Sequence, residues 1–160
     1  MAPYCSSRLP SIERLGRLGA LLLCGAAAPA WAQTLSNNTA LSFGSFSAGS
    51  GGTVTVNAGG GRIKTGSVVL SSQGTSSPAQ FTFTGTPGNT VVYTLPGDGS
   101  IQLTNGPYTM AVDLFTASPG PTGMLSGSSL LISIGATLTV NNLQAPGTYT
   151  GSFPLIVDYQ

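Results

Sequence analysis

Histidine is absent from this chain, and charge is scarce: five Lys and Arg and four Asp and Glu in 160 residues. The only two cysteines are Cys5 and Cys24, both near the start. These gaps exclude a good deal. Without His there is no Ser–His–Asp triad, no Cys–His pair and no histidine-based metal site within the chain. With so few basic side chains nothing steers it toward nucleic acid or an anionic membrane surface. After residue 33 no stretch has the 3.6-residue apolar period of an amphipathic helix.

The first residues read as a leader. Arg8, Arg14 and Arg17 make a positive start, residues 18–28 are a short apolar run, and Ala30-Trp31-Ala32 has the small-x-small form of a cleavage site. The run is too short to span a bilayer, so no transmembrane anchor is expected. A lipoprotein reading would place the lipid on Cys24, but Leu23 ahead of it is not small. Residues 1–32 are therefore read as a secretory signal peptide and 33–160 as a single domain of 160 − 32 = 128 residues, enough for a real core. The exported part keeps Arg62, Lys64, Asp98, Asp113 and Asp158, a net charge of 2 − 3 = −1, and no cysteine. It has no disulfide although its expected compartment, from the periplasm to the cell surface or beyond, permits one.

What is present is period-two alternation in segments rich in Val, Ile, Thr, Phe and Tyr. Candidate strands carry Leu41 and Phe43, with Phe46 beyond Gly44; Val54 and Val56; Val68 to Leu70; Phe81 and Phe83; Val91, Tyr93 and Leu95; and Ile101 and Leu103. Longer ones alternate through Tyr108, Met110, Val112 and Leu114, and through Leu130, Ile132, Ile134, Ala136, Leu138 and Val140. The final stretch alternates through Tyr149, Gly151, Phe153, Leu155, Val157 and Tyr159, with Ile156 the one apolar residue on its other face. Pro87-Gly88 and Pro146-Gly147 suit type II turns, and Gly135 inside its strand signals a bend or bulge. The pattern predicts an all-β fold, an immunoglobulin-like antiparallel sandwich of seven to nine strands; a jelly roll or small barrel is the runner-up.

Chemistry is sparse. Asp98 lies in a Pro-Gly-Asp-Gly turn, Asp113 and Asp158 lie on polar strand faces, and all three read as solvated acids. A loop carboxylate such as Asp98 suits a hard cation, but one Asp is a weak signal. Arg62 and Lys64 share a face if their segment is extended, as a sugar or carboxylate contact or simply to keep an edge soluble. No catalytic residues, metal or cofactor are expected, and the protein is not expected to be an enzyme. Pro154 removes a ladder donor from the last strand, which places that strand at an edge or leaves it locally unpaired. A strand with a large apolar stripe must be covered by this chain or by another one, since each uncovered side chain forgoes about 1.5–3 kcal/mol.

That last strand resembles the C-terminal strand of chaperone–usher pilins, with Tyr159 as penultimate aromatic and Gly147 fourteenth from the end. The rest is similar to a bacterial family of small secreted domains of unknown function. The resemblance rests on Leu-Ser-Phe-Gly-Ser-Phe (41–46), Gly-Gly-Thr-Val-Thr-Val (51–56), Phe-Thr-Phe-Thr-Gly-Thr-Pro-Gly (81–88), Gly-Ala-Thr-Leu-Thr-Val (135–140) and Ala-Pro-Gly-Thr-Tyr-Thr-Gly-Ser-Phe (145–153). It implies a pilin-like sandwich and a fimbrial or surface role, with a periplasmic chaperone, an usher and neighbouring pilin-like subunits as partners. On that resemblance the partner strand meets Gly147, Tyr149, Phe153, Leu155, Val157 and Tyr159. Residues 33–40, ahead of the first strand, offer only Leu35 as a donor side chain; using 35–46 instead would cost the body its first strand. The alternative reading is a self-contained secreted β-sandwich binding module, a carbohydrate-binding adhesin acting through the loops at 97–99 and 118–123.

Overall fold

A computed structural model describes residues 33–160; the expected leader lies outside the described residues. All regular structure in them is strand, in fourteen segments. These are β1 (Thr34–Thr39), β2 (Ser42–Phe43), β3 (Phe46–Ser47), β4 (Gly52–Val56), β5 (Arg62–Gly66), β6 (Val69–Leu70) and β7 (Ser76–Ser77). They continue as β8 (Ala79–Thr84), β9 (Thr90–Thr94), β10 (Ile101–Asn105), β11 (Tyr108–Ser118), β12 (Thr122–Met124), β13 (Ser129–Val140) and β14 (Ile156–Tyr159). The fold is an all-β, antiparallel sandwich, as the alternation predicts. The segments outnumber the expected strands partly because the stretch at 34–47 is broken in three, pairing in turn with β8, β7 and β6.

The axis of the molecule is β13. One edge pairs with β11 from Ser133 to Leu138; the other pairs with β8 from Ser129 to Ile134 and with β4 from Ala136 to Val140. The handover falls on Gly135, where the turn leaving β4 crosses so closely that a side chain would run into the Val56 carbonyl and lie 2.6 Å from the Ala58 amide. Across the sheet β11 carries a bulge between Asp113 and Thr116, with Leu114 at φ 52°. The extra residue flips the alternation. Leu114, expected on the inner face, is 60% exposed, and Phe115 and Ala117 pack inward in its place.

The main sheet runs β1-β8-β13-β11-β10, with β4 and β5 attached beside β13. A second sheet runs β12-β9-β14. Two apolar clusters fill the space between layers. The first holds Phe43, Val54, Val56, Met110, Val112 and Leu138; the second holds Phe83, Val91, Tyr93, Leu125, Ile132 and Ile134. β1, which has no apolar periodicity, is a strand because its backbone pairs with β8 from Thr34↔Thr84 to Thr39↔Gln80. Thr86 accepts from Asn89 across the Pro87-Gly88 turn at 3.4 Å, with Gly88 at φ 79°, as a type II turn requires. The second expected turn differs: Gly147 has φ 146°, and a side chain there would collide with Asn105.

Candidate functional site

An apolar groove of about 1130 Å³ opens between residues 40–49 and residues 143–153. Its floor is made by long-range pairing. Ile101 and Leu103 of β10, Met110 and Val112 of β11 and Leu138 of β13 all reach it. Register explains this: Ile101 opposes Val112, Leu103 opposes Met110, and Val112 opposes Leu138, so alternate residues of three neighbouring strands face the same way. Leu41, Phe43 and Phe46 line one wall, and Tyr149 and Phe153 the other. Every residue lining the groove is uncharged.

The first wall carries the short strands β2 and β3, broken at Gly44, and the second turns at Leu143 (φ 55°) and has only an isolated bridge at Thr150; no ladder joins the two walls to each other. The first wall bonds outward, through β2 to β7 and β3 to β6. The second meets β10 in one backbone bridge, Thr104 to Thr150, through bonds of 2.8 and 3.1 Å, and in a bond from Asn105 Nδ2 to the Pro146 carbonyl at 3.4 Å. The main chain from 151 to 155 has no ladder, and Pro154 sits in that stretch, where its missing donor interrupts nothing. Pairing resumes only in β14, which lies at the edge of its sheet with β9 on one side.

Each wall is pinned by side chains bonding to backbone. Arg62, in the edge strand β5, donates to the Ser45 carbonyl at 2.8 Å and the Ser71 carbonyl at 3.3 Å. This anchors the first wall just past Gly44 (φ 67°), where a Cβ would sit 3.2 Å from the guanidinium. Partial burial lowers the Arg62 pKa below its usual value. On the second wall the Tyr149 hydroxyl donates to the Ala145 carbonyl and accepts from Gln144 Nε2, both at 2.8 Å. Gln144 also accepts from Asn141 at 3.1 Å.

The six residues singled out in the C-terminal stretch divide. Gly147, Tyr149 and Phe153 line the groove. Leu155, Val157 and Tyr159 face the same layer but pack on the second cluster, and Tyr159 is locked there, its hydroxyl accepting from the Thr86 amide at 2.9 Å and its ring edge-on to Phe83 at 5.9 Å. Phe153 sits at the junction, 6.3 Å from Phe81 and 5.1 Å from Phe115 between ring centroids. The floor residues Ile101, Leu103, Met110, Val112 and Leu138 were legible as inward-facing; that they share one groove was not.

Of the two loops of the alternative binding-module reading, the one at 118–123 borders a second cavity of about 530 Å³, where Gly120 and Pro121 lie beside Tyr93, Leu95 and Phe115. Asp98 accepts from the Leu114 amide at 2.8 Å and Asp113 from the Gly99 amide at 2.7 Å, so these two acids serve the bulge rather than simply facing solvent. In the loop at 118–123 the Tyr93 hydroxyl donates to the Pro119 carbonyl. Arg62 likewise holds backbone carbonyls from the edge strand, and Lys64 stays exposed beside it.

The class is thus an antiparallel β-sandwich with an uncharged, apolar-floored groove between residues 40–49 and 143–153. The chain belongs to the family described as Domain of unknown function (DUF4402), which it matches over residues 34–159. Neither the curated proteins nor the solved structures yield a match.

Proposed function

We propose that this protein is a structural subunit of a bacterial surface assembly, exported by its leader and completed by a strand from another chain, in the manner of chaperone–usher pilins. The observation that carries this reading is the groove: uncharged, apolar at its floor, and walled by two segments whose backbones do not pair with each other. An added strand would gain main-chain bonds from the walls and seat alternate side chains on the floor, the division of labour that strand addition uses for affinity and specificity. Each large aliphatic side chain buried there contributes about 1.5–3 kcal/mol. A periplasmic chaperone would fill the groove first and a neighbouring subunit afterwards, with an usher handling export. No step calls for catalysis or a cofactor.

The test is a melting experiment on the exported, purified chain with and without a synthetic peptide of alternating Val, Ile and Thr. Saturating peptide at a hundred times its Kd should add about 2.7 kcal/mol of stability. A cooperative, thermally robust monomer indifferent to the peptide would show that the chain seals itself and is no assembly subunit.

A further inference from the structure

Granted that the groove accepts a strand, we infer that the strand comes from a polypeptide of different sequence and not from a second copy of this chain. The subunit accepts and does not donate, and so stands at one end of its assembly or alternates with a partner.

Three observations support this. The first strand among the described residues is already in use. β1 pairs with β8 along its length, reinforced by Thr34 to Thr84 at 2.6 Å between hydroxyls and by Asn38 donating to Thr82 at 2.7 Å. Its side chains are also wrong for the groove. Side chains of an inserted strand alternate between floor and solvent, so β1 would offer either Leu35, Asn37 and Thr39 or Thr34, Ser36 and Asn38. One face holds a single apolar residue and the other holds none, against a floor built from Ile101, Leu103, Met110, Val112 and Leu138. The free edge at β5 does no better, since one of its faces carries Arg62 and Lys64 and the other only a single large aliphatic side chain, Ile63. The fitting occupant is an uncharged strand with three or more alternating large aliphatic side chains, carried by another protein.

Three measurements on the exported, purified chain test this together: sedimentation across a wide concentration range, melting, and amide exchange at 41–48 and 147–153. Two peptides serve as probes, one alternating Val, Ile and Thr, the other copying residues 33–42. The expected result is a monomer at all concentrations, a melting temperature raised by about 5 °C or more by the alternating peptide with protection of both walls, and no response to the copied one. Grafting the alternating peptide ahead of Gln33 should turn the monomer into concentration-dependent multimers. If the unmodified chain forms multimers that Leu35→Asn dissolves, or if the copied peptide binds as well as the alternating one, the groove reading stands and the different-partner inference falls. If neither peptide binds and the graft stays monomeric, the groove reading itself fails and takes the inference with it.

Discussion

β13 and the C-terminal stretch at 149–159 are written in the same pattern and treated differently. Both alternate apolar and polar residues over about the same length. Along β13 the inward side chains Ile132, Ile134 and Leu138 are exposed by 1% or less. In the C-terminal stretch Tyr149, Phe153, Leu155, Val157 and Tyr159 all point inward and all remain half-buried. The difference lies in their neighbours. β13 has ladders on both edges and layers of side chains above it. The C-terminal stretch has one bridge at Thr150, a ladder over its last four residues, and a groove alongside. Alternation decides which way a side chain points; it does not decide whether anything covers it.

The comparison can be broken by truncation. Ile132→Ala should cost about 2–5 kcal/mol in denaturant unfolding, the range for a sealed core position away from the groove. Phe153→Ala, though it removes a larger side chain, should cost the protein less than Ile132→Ala, and its main effect should be a weakened response to an added strand. Equal losses at the two sites would mean that the C-terminal stretch is as well covered as β13.

Gly135→Ala should cost about 1–3 kcal/mol, as overpacking does, because the added methyl meets the Val56 carbonyl and the Ala58 amide, which are backbone and cannot swing aside. The same change at Gly120, where a Cβ would meet nothing within 4 Å, should be close to silent. Arg62→Ala should cost about 1 kcal/mol for its two bonds at a partly exposed site. It should also speed amide exchange at 44–47 while leaving 147–153 unchanged, which separates one groove wall from the other. The smallest effect concerns alkali. Burial raises the Tyr93 pKa above its usual 10.0. The stability this gives is complete below the unfolded value and declines as pH climbs from there through the folded one. Melting temperature should fall above about pH 10, and Tyr93→Phe should flatten that fall.

Much of the fold could be read from residue order. β4, β8, β9, β10, β11 and β13 announce themselves by alternation, and Gly135 by its misfit inside a strand. β1 gives no such signal: Thr34–Thr39 is polar on both faces, and only the backbone pairing with β8 makes it a strand. The bulge at Leu114 was hidden for a related reason. Leu114 continues the alternation of Tyr108, Met110 and Val112, but Asp98 and Asp113 each bind a backbone amide across the loop and hold the extra residue in place. At the candidate site Phe153 and Tyr149 were visible in the C-terminal stripe. The floor was not, because Ile101, Leu103, Met110, Val112 and Leu138 come from three strands that only register aligns.

The order of residues alone settled that this is a β protein, which side chains face inward, where several of the turns fall, and that residues 33–160 hold no cysteine and few charges, so disulfides within them and abundant ion pairs cannot support the fold. These are local matters, set by the two-residue repeat of a strand and by the conformations open to Pro and Gly. The three-dimensional arrangement alone decided that the inward face is sealed along β13 and open beside residues 143–153, that Arg62 braces backbone, and that β1 is already taken. Those depend on which distant strands become neighbours, and hydrogen-bonded register between remote segments is written in no single stretch of the chain.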